Sequence, residues 1–306
     1  MKQVISVSLG SSSRDKKVLI NILGEDYEIS RIGTDGDMKR FSELLKDNDG
    51  KVDAIGLGGI DLYLYMSGKK YTIRDAENLT KFAKITPVVD GSGVKNTIER
   101  LTIKYLSENN IIDFYNSKIM LVCSLDRFGV AESLCKLCQE KNVLYGDLMF
   151  AIDVNLPLYN YNHLKTVANI LLPIACNIPF KYLYPTGDKQ KEHKKKYQDK
   201  YAWSDIIAGD FHYINKYLPD IKSDIMKDKI IITNTLVDKD IEELKSRGVK
   251  LIISSTPSLN GRNFGTNVLE GIIISKIGKS IYETSEQELD NILTEMNWQP
   301  SIVYER

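Results

Sequence analysis

Short, continuous apolar runs that end in glycine, serine or aspartate recur along the chain, with helix-period stretches between them. The early runs are QVISVSLG, YEISRIG, VDAIGLGGI and ITPVVDGSG. A second series follows: KIMLVCSL, KNVLYGDLMF, SDIIAGDFHYI, DKIIITNTL and VKLIISSTP. A strand that is apolar at every position must be buried on both faces. That condition is met in parallel sheets covered by helices. The pattern therefore predicts an α/β fold of two domains, each a parallel sheet covered by helices. Residues 1–106 form the expected substrate or catalytic domain, with 280–306 a candidate to pack back on it. Residues 107–279 form the expected second domain, with 107–117 as hinge and 153–202 as an insertion. The length of 306 residues suits this division, since domains usually span about 100–200 residues.

Charge argues against one class of partner. The 41 basic and 41 acidic residues balance, whereas nucleic-acid binders carry a strongly basic face. The apolar stretch Val167–Ile178 is shorter than the roughly 20 residues of a membrane span. The N-terminus leads directly into a strand without a signal-peptide pattern. The four cysteines are too few for a disulfide framework. The expectation is a cytoplasmic protein with a small-molecule substrate and no nucleic-acid or membrane partner.

Open parallel sheets hold ligands beyond the carboxyl ends of their strands. The segment VCSLDRFGVAESL lies there, between a strand and a helix, as a dinucleotide-binding turn does. Its fingerprint reads Ser124-x-Asp126-x-x-Gly129, so only the third glycine is kept. That glycine lets helix and strand pack closely. Ser124, Asp126, Arg127, Phe128 and Gly129 are thus candidate cofactor residues of a Rossmann-like domain. Asp147, at the end of the next strand, suits the ribose hydroxyls of NAD and would repel the extra phosphate of NADP. The alternative is a surface aspartate at a strand end.

Asp90 in DGSG is either a turn and helix-capping residue or a carboxylate poised for proton transfer. Here the sequence resembles a family. VVDGSGVKNTIERL followed by KIMLVCSL is similar to the shikimate/quinate dehydrogenases, which show N-T-D-G-x-G, a helix and then the first Rossmann strand. Asp90, Gly91 and Gly93 match, and Val88 and Val89 replace Asn and Thr. NVLEG resembles the family's late M-L-V-x-Q-G, with Glu270 in place of Gln. The resemblance implies an NAD-dependent dehydrogenase acting on a secondary alcohol of a small polyhydroxy acid. It implies that Asp90 holds the reacting hydroxyl and that Ser11, Ser13 and Glu270 face the substrate. The family's catalytic-lysine motif is absent, and Lys69 or Lys70 stands nearest its place.

Other residues carry weaker signals. His212, just past a strand end, is a structural histidine or an alternative acid–base group. Arg262, in the loop TPSLNGRNFGTN, is suited to clamp a carboxylate or phosphate. Cys135 and Cys138 form a lone C-x-x-C inside a helix, with no second pair for zinc, so no metal is expected. The competing function is a non-redox Rossmann-like protein that binds a nucleotide or phosphorylated metabolite.

Overall fold

The computed structural model describes residues 1–66, 69–179, 194–234, 236–256, 258–259, 262–263 and 265–306. The chain divides into two compact units. The first comprises Met1–Thr97, Leu171–Gly187 and Ser258–Trp298, and the second Ile98–Ile170, Asp188–Pro257 and Gln299–Arg306. Both are α/β, with parallel strands covered by helices.

In the first unit the strands are β1 (Lys2–Ser8), β2 (Lys16–Ile22), β3 (Glu25–Gly33), β4 (Ala54–Gly58), β5 (Tyr63–Met66), β6 (Lys69–Thr72) and β7 (Val88–Val89). The main sheet has the order β2-β3-β1-β4-β7, and β5 and β6 form a separate hairpin. Pairing is parallel from β3 through β7, but β2 joins β3 antiparallel. Sequence reading expects a polar, helical stretch where β2 lies. The cause of the difference is its edge position: β2 alternates more and less exposed residues and lacks the continuous apolar run of a central strand.

Helix Met38–Asn48 buries Phe41, Leu44 and Leu45 in this unit's core, with Val7, Ile55 and Leu57. Helix Thr266–Ile277 packs on β1, β4 and β7. Its approach explains the glycines of DGSG. A Cβ on Gly91, whose φ is +94°, would stand 2.3 Å from Thr266 Oγ1. One on Gly93 would stand 2.6 Å from Glu270 Oε1.

The second unit is built on β8 (Ile119–Leu121), β9 (Val143–Tyr145), β10 (Ile206–Ala208), β11 (Ile230–Thr233) and β12 (Leu251–Ser254). The order is β9-β8-β10-β11-β12, with strand Ser301–Glu305 added antiparallel beyond β12. Strands β8, β9, β10 and β12 are buried along their whole length, as their unbroken apolar sequence requires. The parallel strands thus run second, first, third, fourth, fifth. In such an order the crevice for a ligand opens between the first and third strands, where the direction of winding reverses. Here that point lies between the loops after β8 and β10. Helix Tyr161–Ala175 begins in this unit, where it buries Leu164 and Ala168 and leaves Ile170 exposed, and its residues from Leu171 belong to the first unit. Residues 180–193 of the expected insertion lie outside the described residues.

Candidate functional site

The loop after β8 meets the loop after β10 through Arg127. Its Nη1 donates to Glu99 Oε1 at 3.1 Å and its Nη2 to Asp210 Oδ2 at 3.0 Å. Its Nε stands 3.3 Å from Asp126. Burial alone would lower the guanidinium pKa, but Asp126, Glu99 and Asp210 outweigh it and raise the value. Asp210 also accepts from Asn234 Nδ2 at 2.7 Å and, with its other oxygen, from the backbone of His212. The His212 residue itself is exposed.

Asp147 does not end its strand at the surface. It opens the short helix Asp147–Phe150 and is 3% exposed. Its Oδ1 accepts the backbone N–H groups of Ser124 and Leu125. These are turn donors of the kind that a pyrophosphate would need. Burial pushes the Asp147 carboxyl upward, partly offset by these N–H groups. Four carboxyl groups, those of Glu99, Asp126, Asp147 and Asp210, therefore stand with one guanidinium around the candidate cofactor turn. Phe128 and Gly129 are buried in the helix that follows.

In the first unit, Asp90 is a four-fold acceptor. Oδ2 takes the N–H of Leu62 at 2.5 Å and of Tyr63 at 3.2 Å. Oδ1 takes the N–H and hydroxyl of Ser92 at 3.1 and 2.7 Å. The carboxylate thus ties the start of the β5–β6 hairpin to the DGSG turn. Burial raises its pKa and the hydrogen bonds oppose the rise. Glu270, 1% exposed, accepts Gly93 N–H at 3.2 Å. Burial and then the neighbouring Asp90 push its carboxyl well up.

From Asp90 a polar path leads outward. Ser92 Oγ lies 3.1 Å from the hydroxyl of Tyr282, which is 41% exposed. The Tyr282 ring stacks on Tyr65 at 5.5 Å and meets Tyr63 edge-on at 5.4 Å and 88°. Hairpin register sets Lys70 opposite Tyr65. The Lys70 ammonium lies 4.4 Å from the Tyr63 ring centroid and 4.6 Å from that of Tyr282.

The structure thus gathers Asp90, Glu270 and Lys70 in one region. Lys69 is an exposed residue of β6. Ser11 and Ser13 form a separate exposed pair, their hydroxyls 2.8 Å apart in the loop after β1. Arg262 lies on the backbone hairpin Ser258–Leu259 and Arg262–Asn263, and its side chain is outside the described residues. Sequence reading missed Tyr63, Tyr65 and Tyr282. The alternation Tyr-Leu-Tyr at 63–65 was the available signal, because it sets both rings on one face of a strand. Among the described residues, no cluster of His, Cys, Asp and Glu could hold a metal ion. Nor is any helix among them long and apolar enough to cross a membrane.

Residues 93–305 match the domain of unknown function DUF8754. The chain belongs to this family. Residues 3–90 match a second domain of unknown function, DUF8753. The boundary between the two matches falls inside DGSG. No curated protein matches the chain. Among solved structures, it is similar to a substrate-binding protein of a sugar ABC transport system from Bordetella parapertussis 12822. The identity is 9%, over 92% of this chain and 80% of that one, with a TM-score of 0.37. An ABC transporter solute binding protein from Burkholderia multivorans is 11% identical, over 94% of this chain and 95% of that one, with a TM-score of 0.39. A protein described as a malic enzyme (malate oxidoreductase) is 14% identical, over 82% of this chain and 65% of that one, with a TM-score of 0.35. Likenesses this distant carry no functional argument.

Proposed function

We propose that the chain is a non-redox small-molecule-binding protein, with a Rossmann-like second unit, whose ligand lies on the tyrosine surface above Asp90. The observation that carries this is the path from Tyr282, a partly exposed residue, through Ser92 to the buried Asp90. It offers a ligand an aromatic face for stacking and a polar tip for hydrogen bonding, which suits recognition of a small polar molecule. Burial, followed by Glu270 and Asp90, raises the phenol pKa, so Tyr282 keeps its proton, donates it to Ser92 Oγ, and has an accepting oxygen to offer a ligand. The test is a thermal-shift screen of hydroxy acids, sugars and amines against wild type and Tyr282→Leu. A ligand that stabilises the first and not the second supports the reading. If every hit acts equally on both proteins, the tyrosine surface is not the site.

A second reading is the NAD-dependent dehydrogenase of shikimate/quinate type. Lys70 favours it, because its ammonium lies against the Tyr282 ring whose hydroxyl leads to Asp90. The Asp147 carboxylate on the turn N–H groups weighs against it, since a pyrophosphate would have to compete for the same donors. NADH titration, followed by the fluorescence of Trp203 and Trp298, separates the two readings. Saturable quenching, with oxidation of quinate or shikimate, would establish the dehydrogenase.

A further inference from the structure

Lys70 is an exposed residue whose ammonium rests on two ring faces. Those rings, Tyr63 and Tyr282, stand at 88° to each other and form the two walls of a corner. Tyr65 backs one wall by stacking on Tyr282. Behind the corner lie the carboxyl groups of Asp90 and Glu270, joined to it through Ser92 and the DGSG turn. Burial raises the phenol pKa values of Tyr63 and Tyr282, and the Asp90 carboxylate adds to the rise at both rings. Ring faces and a buried carboxylate such as Asp90 both attract a cation, and perpendicular aromatic walls are how proteins hold ammonium groups whose hydration is weak.

We infer that the corner of Tyr63 and Tyr282 is a binding site for an alkylammonium group, and that Lys70 is its resident occupant, displaced when the ligand enters. This rests on the reading of the tyrosine surface as the ligand site and names the ligand's chemistry. The geometry separates the lysine from its walls: Lys70 comes from β6, Tyr63 from β5, and Tyr282 from a short turn at Ile281–Glu283. The lysine stem can therefore swing out while the walls stay in place.

Choline is the probe, and its uncharged carbon isostere dimethylbutanol is the control, both titrated by calorimetry into the full chain. Lys70→Thr empties the corner with a residue that suits a strand. It should bind choline at least about fivefold more tightly than wild type and should prefer choline to the isostere by a similar factor. In the Lys70→Thr background, Tyr282→Phe should keep this binding because it keeps the ring, and Tyr282→Leu should lose it. Melting temperatures check that each variant folds, and Lys70→Gln replaces Thr if the hairpin is disturbed. The inference is overturned if the emptied corner binds choline no better than wild type, or if choline and isostere bind alike. A different ligand whose binding is lost with Tyr282→Leu would leave the tyrosine surface as a site while removing the ammonium assignment. Loss of all such ligands would remove both.

Discussion

Asp147 Oδ1 accepts the backbone N–H of Ser124 at 2.8 Å, across 23 positions of sequence, and takes that of Leu125 at the same distance. One carboxylate oxygen thus shapes the turn that opens helix Phe128–Leu137. Asp147→Ala leaves two backbone donors without their acceptor, at a cost of about 1–3 kcal/mol for each buried group. Urea denaturation should show a loss of about 2–4 kcal/mol. Asp147→Asn keeps an accepting oxygen and should lose about 1 kcal/mol or less. An aspartate serving only a bound ribose would show no such difference in the free protein.

Asp90→Asn should not be benign. Both carboxylate oxygens accept, one from Leu62 and Tyr63 and the other from Ser92. An amide presents its NH2 to one of those sets of donors. We expect a loss of about 1–3 kcal/mol in chemical denaturation. Near-normal stability would mean that the four hydrogen bonds are not formed in solution.

Arg127→Met should be among the costliest single changes in the second unit. It removes the Arg127 guanidinium from the buried Glu99 and the half-buried Asp210. Breaking a buried pair in this way costs about 3–5 kcal/mol. Arg127→Lys should recover only part of the loss, because an ammonium cannot serve three carboxylates as a planar fork does. Comparing the denaturation midpoints of both variants with wild type measures this.

Glu270 links stability to pH. Burial, then Asp90, raise its folded-state pKa well above the ordinary value of 4.5. The folded protein therefore holds a proton that the unfolded chain releases at lower pH. Its contribution to stability is fully present below the unfolded pKa and is lost as pH rises through the folded one. Glu270→Gln, which resembles the protonated acid, should melt at about the wild-type temperature in acid and above it at neutral to alkaline pH. A melting-temperature difference that does not change with pH would show that the carboxyl titrates normally.

The alternation of buried strands and helices was legible because a strand buried on both faces has to be apolar throughout. The edge strand β2 was not, since one exposed face breaks its apolar run. Asp90 stood out through its neighbours Gly91 and Gly93, whose need for space comes from helix Thr266–Ile277. Arg127 was legible as part of a turn, but its partners Glu99 and Asp210 lie 28 and 83 positions away and no local spacing announces them. The tyrosine corner depends on Tyr282, which joins Ser92 across 190 positions. Only the β5–β6 half of that corner had a local pattern.

Helix Thr266–Ile277 covers β1, β4 and β7, yet it is synthesised long after them. Asn267 reaches Ser6 across 261 positions. On a ribosome adding about 5–20 residues per second, the first strands wait roughly 10–50 s for this helix. During that interval Val4, Ala54 and Val89, which meet the helix at Gly271, lack their final cover. Until then the nascent N-terminal sheet keeps apolar surface open, and premature termination before the helix would release an incompletely covered sheet rather than a smaller folded protein.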